Sequence, residues 1–362
     1  MKMGIVGLPT TGKTTLFNLL TGQNLETAGF ATGKVEAHTG IAKIPDDRID
    51  FLAAQYQPKK ITYATIELID VPGLAKGAST GKGVGNQFLE SVRKTDALIH
   101  LVRVFENPHA MHPEGSIDPL RDVETIAMEL LFSDLGVIEN RISRIESGKK
   151  VTREQQAEKS VLEKCREALE NGQLIHELEL SEEDQELLRT FGFLSEKPMM
   201  LVVNLDESQL TAGSYPHQEA LEAYCNEHRL PLIALSAQTE QEISQLEQEE
   251  RAMFMEDLHI EEPGIHLVAR TSYHLLGLIS FLTAGEDEVR AWPIRRDTVA
   301  RKAAGKIHTD IEKGFIRAEV TAFSDYQEHP SMVTLKELGK VRLEGKEYVV
   351  QDGDIINFRF NV

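Results

Sequence analysis

The eight residues Gly7-Leu8-Pro9-Thr10-Thr11-Gly12-Lys13-Thr14 limit what this chain can fold into more than any other stretch. They fit the phosphate-loop pattern G-x-x-x-x-G-K-[ST], follow a short apolar run from Lys2 to Val6, and open a helical pattern that Gly22 is placed to end. The glycines let the backbone curl so that its N–H groups and the helix N-terminus face a β-phosphate. Lys13 is then expected to reach the β- and γ-phosphates as a catalytic cation, and the Thr14 hydroxyl to bind Mg2+. Thr15 completes this run of nucleotide-binding candidates. A strand, loop and helix of this kind belong to a doubly wound α/β domain, the P-loop NTPase architecture.

Further apolar runs agree with that architecture. ATIELIDV, ALIHLVRVF, PMMLVVNL and LPLIALSA are short and separated by helical patterns, as expected of strands buried on both faces of a parallel sheet. The first reaches Asp70 in DVPGL, which places the aspartate at a strand's carboxyl end as a second magnesium candidate and the Gly73 backbone as a sensor of the γ-phosphate. The glycine-rich GLAKGASTGKGVGNQF that follows is expected to order around a triphosphate. Ras-like enzymes place a water-orienting glutamine directly after that glycine. Here the residue is Leu74, which cannot orient water, so slow turnover is expected unless another group acts. His109 and His112, in the loop ENPHAMHPEGS, are the candidates; incidental surface histidines are the plainer reading.

Base recognition departs from the usual pattern. Guanine-specific members of this fold read the base with Asn-Lys-x-Asp, whose carboxylate accepts from guanine's N1 and N2 hydrogens. After PMMLVV this chain has Asn204-Leu205-Asp206-Glu207. Leucine replaces the lysine, and the acid at the fourth position is one methylene longer, which weakens the expected guanine preference and admits adenine. ATP and GTP both stay open, with Asp206 or Glu207 the guanine reader in the second case. Ser236 and Ala237, after the next apolar run, take the usual place for backbone contact to the base.

At 362 residues the chain is long for one core, and two or three domains are expected. Leu131, Leu135, Ile138, Ile142 and Ile145 fall on one helix face, and after the polar break ESGKKVTREQQ a second helical stretch carries Val161, Leu162, Cys165 and Leu169. This reads as an inserted helical coiled-coil hairpin, residues 121–195, within a nucleotide-binding domain of 1–120 and 196–278. Two ordinary helices packed on the sheet are the alternative. Lys149, Lys150 and Arg153 would lie at the hairpin tip. From 279 to 362, alternating stretches such as FIRAEVTAF, KVRLEGKEYVV and IINFRF form a separate α+β domain.

The net charge of −19 argues against a nucleic-acid partner until its distribution is considered. His176 to Glu262 carry 21 acidic against 4 basic residues, whereas Val289 to Val320 carry 8 basic against 4 acidic. No segment has the roughly 18 to 20 apolar residues that cross a bilayer, and the N-terminus lacks a signal-peptide pattern. A cytoplasmic monomer with no membrane partner is expected. Cys165 and Cys225 have no metal-ligand spacing and read as core filler.

With GLPTTGKTTLFN, GLAKGASTGKGVGNQFL and FLTAGEDEVRAW, the Asn204-x-x-Glu207 motif resembles the YchF/Obg-like ATPase family over essentially the whole chain. AAGKIHTDIEKGFIRAEV and the terminal EGKEYVVQDGDIINFRFNV are similar to that family's TGS domain, a ubiquitin-like β-grasp associated with RNA and ribosome contact. The family belongs with the Obg-related translation-factor GTPases yet prefers ATP. The resemblance implies hydrolysis of ATP, and less selectively of GTP, at a Mg2+ site, coupled to ribosome binding. His112 matches the loop histidine that replaces the missing glutamine, and Thr32 the switch threonine that caps magnesium. The basic residues Arg290, Arg295, Arg296, Arg301, Lys302 and Lys306 would contact phosphates of the ribosome or structured RNA.

Several positions depart from the family. Thr10 stands for an asparagine linked to potassium binding in related enzymes, and DVPGL replaces DIAGL. Gly33 and Lys34 lengthen the switch segment, which makes Thr39 a rival to Thr32, and Lys82 stands where an acid is common. Three readings follow: an ATP-driven switch on the ribosome or structured RNA, a guanine-specific Obg-type GTPase, and a nucleotide-gated scaffold with negligible hydrolysis.

Overall fold

The computed structural model describes residues 1–25, 38–73, 84–148 and 150–361. The expectations on Thr32, Gly33, Lys34, Leu74, Lys82 and Lys149 lie outside these residues. The chain divides into two compact units, Met1–Ile41 with Glu67–Val268, and Ala42–Ile66 with Ala269–Val362. Residues 42–66, expected in the nucleotide-binding domain, thus join the carboxyl-terminal unit.

The first unit is built on six strands: β1 (Lys2–Val6), β2 (His38–Lys43), β4 (Thr65–Asp70), β5 (Ala97–Arg103), β6 (Met199–Asn204) and β7 (Leu232–Leu235), with β3 (Lys60–Thr62) belonging to the other sheet. Their order is β2-β4-β1-β5-β6-β7. β1 pairs in parallel with β4 and β5, and the parallel run continues through β6 to β7. Every residue of β5 and β6 is buried, which is why both runs are apolar with little alternation.

The helices among the described residues include α1 (Lys13–Thr21), α2 (Asp47–Tyr56), α3 (Val84–Arg93), α4 (Pro119–Glu146), α5 (Arg153–Glu170), α6 (Glu182–Leu188), α7 (Glu207–Ala212), α8 (Gln218–Glu227), α9 (Ala237–Gln245), α10 (Gln248–Asp257), α11 (Gly264–Leu275) and α12 (Ala300–Ile307), with short helices beyond. Val6, Leu98 and Leu201 of the sheet pack with Phe88, Val123 and Ile126 of the helices. Register sets the site. Ile5 lies beside Asp70, Arg103 beside Asn204, and Asn204 beside Leu235. Five adjacent strands therefore bring Gly7, Asp70, Arg103, Asn204 and Ser236 to one edge, the carboxyl edge where parallel sheets bind ligands.

α4 begins where Asp118 caps the Arg121 N–H and Pro119 fills the first turn, then runs for 28 residues. Its first half completes the sheet's core through Val123, Ile126 and Leu130. Further on, Leu131, Ile138 and Ile142 pack against Val161, Leu162 and Cys165 of α5, with Leu135 half-buried at the margin. One helix thus covers the sheet with its first half and packs against α5 with its second. Arg141 clasps Glu158 across the pair with two bonds of 2.6 and 2.8 Å. Cys165 and Cys225 are buried free thiols.

The second unit holds β8 (Leu278–Ala284), β9 (Glu288–Arg295), β10 (Phe315–Ala322), β11 (Arg342–Glu344) and β12 (Asp354–Phe360) in the order β11-β10-β12-β8-β9-β3. β8 and β9 form an antiparallel hairpin, and β12 joins β8 in parallel, a mixed pairing that fits the expected β-grasp. Phe281, Ile294, Val320, Ile356 and Phe358 pack against α12, which comes close because its buried face is alanine: Ala300, Ala303 and Ala304. Residues 42–66 dock here through the β3–β9 pairing, the Arg48 to Asp352 ion pair at 2.9 Å, and the Phe51 ring set edge-on to Phe323. Among the described residues no helix is long and apolar enough to cross a membrane.

Candidate functional site

The phosphate loop is held open by its glycines. Gly7 has φ 153°, and a Cβ there would come within 2.4 Å of the Leu101 carbonyl; Gly12 has φ 98°, and a Cβ would meet Asn204 Nδ2 at 2.6 Å. Thr10 holds φ 63°, uncommon for a β-branched residue. Its hydroxyl donates to Met111 O at 3.4 Å, and its carbonyl accepts from Arg103 Nη1 at 3.1 Å. Thr11 closes the loop by donating to Leu8 O at 3.0 Å. Gly73 backs onto Pro9, whose Cα would lie 3.1 Å from an added Cβ.

Lys13 is buried, and its Nζ donates to Leu8 O at 2.6 Å. Burial pushes its ammonium from 10.5 down to about 8, against the pull of the Asp70 carboxylate. Thr14 Oγ1 donates to Asp70 Oδ2 at 2.8 Å, and burial raises the Asp70 carboxyl above its ordinary range. A hydroxyl and a buried carboxylate in contact suit a small divalent cation that takes its other ligands from phosphate and water. Thr14 and Asp70 are the residues that would hold Mg2+. Thr39, the rival to Thr32, lies in β2, where its carbonyl accepts from Gln23 Nε2 at 3.3 Å.

A cavity of about 770 Å³ adjoins the loop, a size that takes a nucleotide. Thr10, Thr11, Gly12 and Thr15 form one wall, Asn204, Leu205 and Asp206 another, and the segment from Phe105 to His109 a third. Ala237 and the polar face of α9, with Gln238, Gln241, Glu242 and Gln245, close it. Asn204 is buried, donating to Thr11 O and accepting from Ala237 N–H, both at 3.0 Å. Ser236 caps α9 through the Thr239 N–H at 3.2 Å.

Glu207, expected to face the base, opens α7 as an exposed residue and is not among those lining the cavity. Asp206 lines it, but its carboxylate is turned to cap α7, accepting from Gln209 N at 2.8 Å and Ser208 Oγ at 2.7 Å. The fourth-position acid is displaced because helix α7 starts there and takes its first turn into solvent.

The two loop histidines part company. His109 is exposed and lines the cavity. His112, expected free to reach the phosphates, is buried, with Nε2 2.8 Å from Asp122 Oδ2. The loop between them is tied down by Arg103, a fully buried arginine whose Nη1 donates to both Thr10 O and Ala110 O, the latter at 2.9 Å.

Known proteins match this arrangement along the whole chain. Residues 2–141 match the family described as "50S ribosome-binding GTPase", and residues 278–361 match YchF-GTPase_C, described as "Protein of unknown function (DUF933)". The Ribosome-binding ATPase YchF of Escherichia coli O157:H7 is 43% identical over 362 residues, covering 100% of this chain and 99% of that protein. Its Bacillus subtilis namesake is 42% identical over 361 residues, covering 99% of each. The chain belongs to the YchF family. The solved structure of the Schizosaccharomyces pombe YchF GTPase superposes with a TM-score of 0.86 at 33% identity, covering 99% of this chain and 97% of that one. This YchF-family chain thus joins a P-loop NTPase domain to the family's carboxyl-terminal domain.

Its basic residues are unevenly placed. Arg290 stacks 3.8 Å above the Trp292 ring and pairs with Glu288 at 3.9 Å. Lys302 pairs with Glu312 at 2.7 Å, and Arg301 donates to Glu312 O at 3.2 Å. Arg295, Arg296 and Lys306 are exposed and make no ion pair among the described residues.

Sequence reasoning missed Arg103, Phe105 and the α9 wall. An arginine inside the apolar run ALIHLVRVF was one available signal, since a charge in a buried strand needs partners. Gln238, Gln241, Glu242 and Gln245 recur at helical spacing directly after Ser236-Ala237, which was another.

Proposed function

We propose that this chain is a magnesium-dependent ATPase, slow when alone, that acts as a nucleotide-controlled switch on the ribosome or structured RNA in translation. The Thr14 to Asp70 hydrogen bond at the foot of the phosphate loop carries the reading. When bound there, Mg2+ would neutralise charge on the β- and γ-phosphates.

The chain's own groups would do the rest. Loop N–H groups from Gly7 to Thr15 would hold the phosphates, with the Gly73 backbone sensing the γ-phosphate. Lys13, whose Nζ rests on the Leu8 carbonyl at 2.6 Å, would exchange that neutral oxygen for anionic ones, which favours its charged form. His112 would orient the attacking water once it leaves Asp122. Adenine is favoured over guanine because Leu205 is apolar, Asp206 is fixed through its Oδ1 to the first turn of α7, and Glu207 stands outside the cavity. One amide hydrogen of Asn204 stays available to the base beyond the bond to Thr11 O.

Relatives named ribosome-binding ATPases, at 42 and 43% identity over nearly full length, support both the nucleotide and the partner. The free charges of Arg295, Arg296 and Lys306 would meet phosphates, so association should weaken steeply with salt.

Phosphate release from ATP by the purified chain tests the catalytic half. Turnover is expected to need Mg2+ and to be lost in Lys13→Ala, with ATP outcompeting GTP for a fluorescent ATP analogue. Turnover indifferent to Lys13, or a preference for GTP of about a hundredfold, would overturn it. Co-sedimentation with ribosomes across salt concentrations tests the other half, and no association at low salt rejects it.

A further inference from the structure

His112 is not idle in its pocket; both ring nitrogens are taken. The Glu114 N–H donates to Nδ1 at 3.2 Å, so that nitrogen supplies a lone pair and the ring hydrogen resides on Nε2. Nε2 then donates to Asp122 Oδ2 at 2.8 Å, with the two side chains only 2% and 1% exposed. A ring in this state has no free nitrogen with which to hold water, and no water-accessible edge.

The acceptor is itself fastened. Arg121 grips the other Asp122 oxygen through Nη2 at 2.9 Å and Nε at 3.2 Å. The same guanidinium reaches back to Ser116, to its Oγ at 2.9 Å and its carbonyl at 2.8 Å. Asp122 also lies in the first turn of α4, where the helix N-terminus favours a carboxylate. The loop from His112 to Ser116 is thus folded onto the start of α4 by a knot whose centre is one buried carboxylate. On the upstream side, Arg103 fixes Ala110 O to the same phosphate loop that it binds at Thr10 O. Only the short stretch between Ala110 and Arg121 need move for His112 to turn toward the nucleotide, and within it Gly115 already holds φ 74°.

We propose that Asp122 is a positioning residue that keeps His112 withdrawn, so that the basal rate reflects the small fraction of molecules in which the Nε2 to Oδ2 bond has opened. This rests on the reading of His112 as the group that orients water. An enzyme whose competent state is a minor one turns over in proportion to that population. Weakening the latch without removing the histidine raises the rate; a supporting aspartate in a catalytic pair would do the opposite when removed.

The test is steady-state hydrolysis by the full chain across a range of Mg-ATP concentrations, for wild type, Asp122→Asn, His112→Ala and the double variant. Asparagine keeps an acceptor oxygen of the same shape but makes only a neutral hydrogen bond, about half as strong as a charge-assisted one. The expected result is a kcat about tenfold above wild type with KM unchanged, and a double variant as slow as His112→Ala. A kcat for Asp122→Asn at or below the wild-type value sinks the latch while leaving His112 in its role. Wild-type turnover by His112→Ala removes that role, and the latch with it. Because Asp122 is buried, nitrogen-15 histidine spectra of the intact wild-type protein give a second readout. The Nε2-protonated His112 signal is expected to hold its latched position on adding a non-hydrolysable ATP analogue with Mg2+, and a signal that leaves that position entirely at saturation, which would make the open state the major one, overturns the proposal.

Discussion

The Asn204 side chain donates to Thr11 O and accepts from Ala237 N–H, each at 3.0 Å, so one buried carboxamide joins the phosphate loop to the end of β6 and the start of α9. The two walls of the cavity that it joins are far apart in sequence. Holding them before the ligand arrives removes ordering that binding would otherwise have to supply.

Asn204→Ala leaves the Thr11 carbonyl and the Ala237 N–H buried without this partner. Each loss is worth about 1 to 3 kcal/mol. Nucleotide affinity is expected to fall about 10- to 100-fold, read as the dissociation constant of a fluorescent ATP analogue. An unchanged constant would mean that the walls hold their places without the clip.

Lys13 couples the site to stability. With its ammonium lowered from 10.5 to about 8 by burial, the unfolded chain holds a proton between those values that the folded chain has released, so stability rises with pH across that window. Lys13→Met is therefore expected to be more stable than wild type by about 3 kcal/mol at pH 7. The difference should vanish above about pH 11.5, where the lysine is neutral in both states. Urea unfolding without nucleotide measures it; adding Mg-ATP should reverse the ranking, since only the wild type would bind.

Glu240 titrates in the opposite sense. Its Oε1 accepts from the Gly264 N–H at the start of α11 at 2.5 Å, its Oε2 is buried without a partner, and burial raises the carboxyl to about 7. Between about 4.5 and 7 the folded chain holds a proton that the unfolded chain has lost, so stability falls as pH rises through that range. Glu240→Gln keeps the acceptor for Gly264. It is expected to exceed wild type by about 3 kcal/mol at pH 8 and to match it below about pH 4, where the carboxyl is protonated in both states, by thermal melting at the two values. A gap that does not narrow on acidification would show that Glu240 is not the titrating group.

Arg295 ends β9 and Arg296 follows it, both as exposed charges. Reversing both, Arg295→Glu with Arg296→Glu, is expected to weaken ribosome co-sedimentation about tenfold or more at low salt and to flatten its salt dependence by about two contacts. The ATPase rate without ribosomes should not change. Equal sedimentation by the variant would place the contact elsewhere.

Much of this was legible beforehand, for reasons that can be traced to particular residues. Gly7 and Gly12 were readable because a left-handed or sterically closed backbone admits little else, and Asp70 because an apolar strand ran straight into it. The hairpin seam of Leu131, Ile138 and Ile142 was readable because helical periodicity is a local property. The surroundings of Glu207 were not legible in its motif, because a helix begins at that residue and leaves it exposed.

By itself, then, the sequence determined the elements and the phosphate loop, since φ preferences, periodicity and strand burial act over a few neighbouring residues. Only the tertiary structure decided that His112 rests against Asp122, that Arg103 binds Thr10 and Ala110 together, that α9 walls the cavity, and that residues 42–66 build the second unit. Those are contacts between side chains and backbone groups that only folding brings within 3 Å or so of one another, and a buried charge such as Arg103 or Asp122 accepts whichever partner the packing delivers.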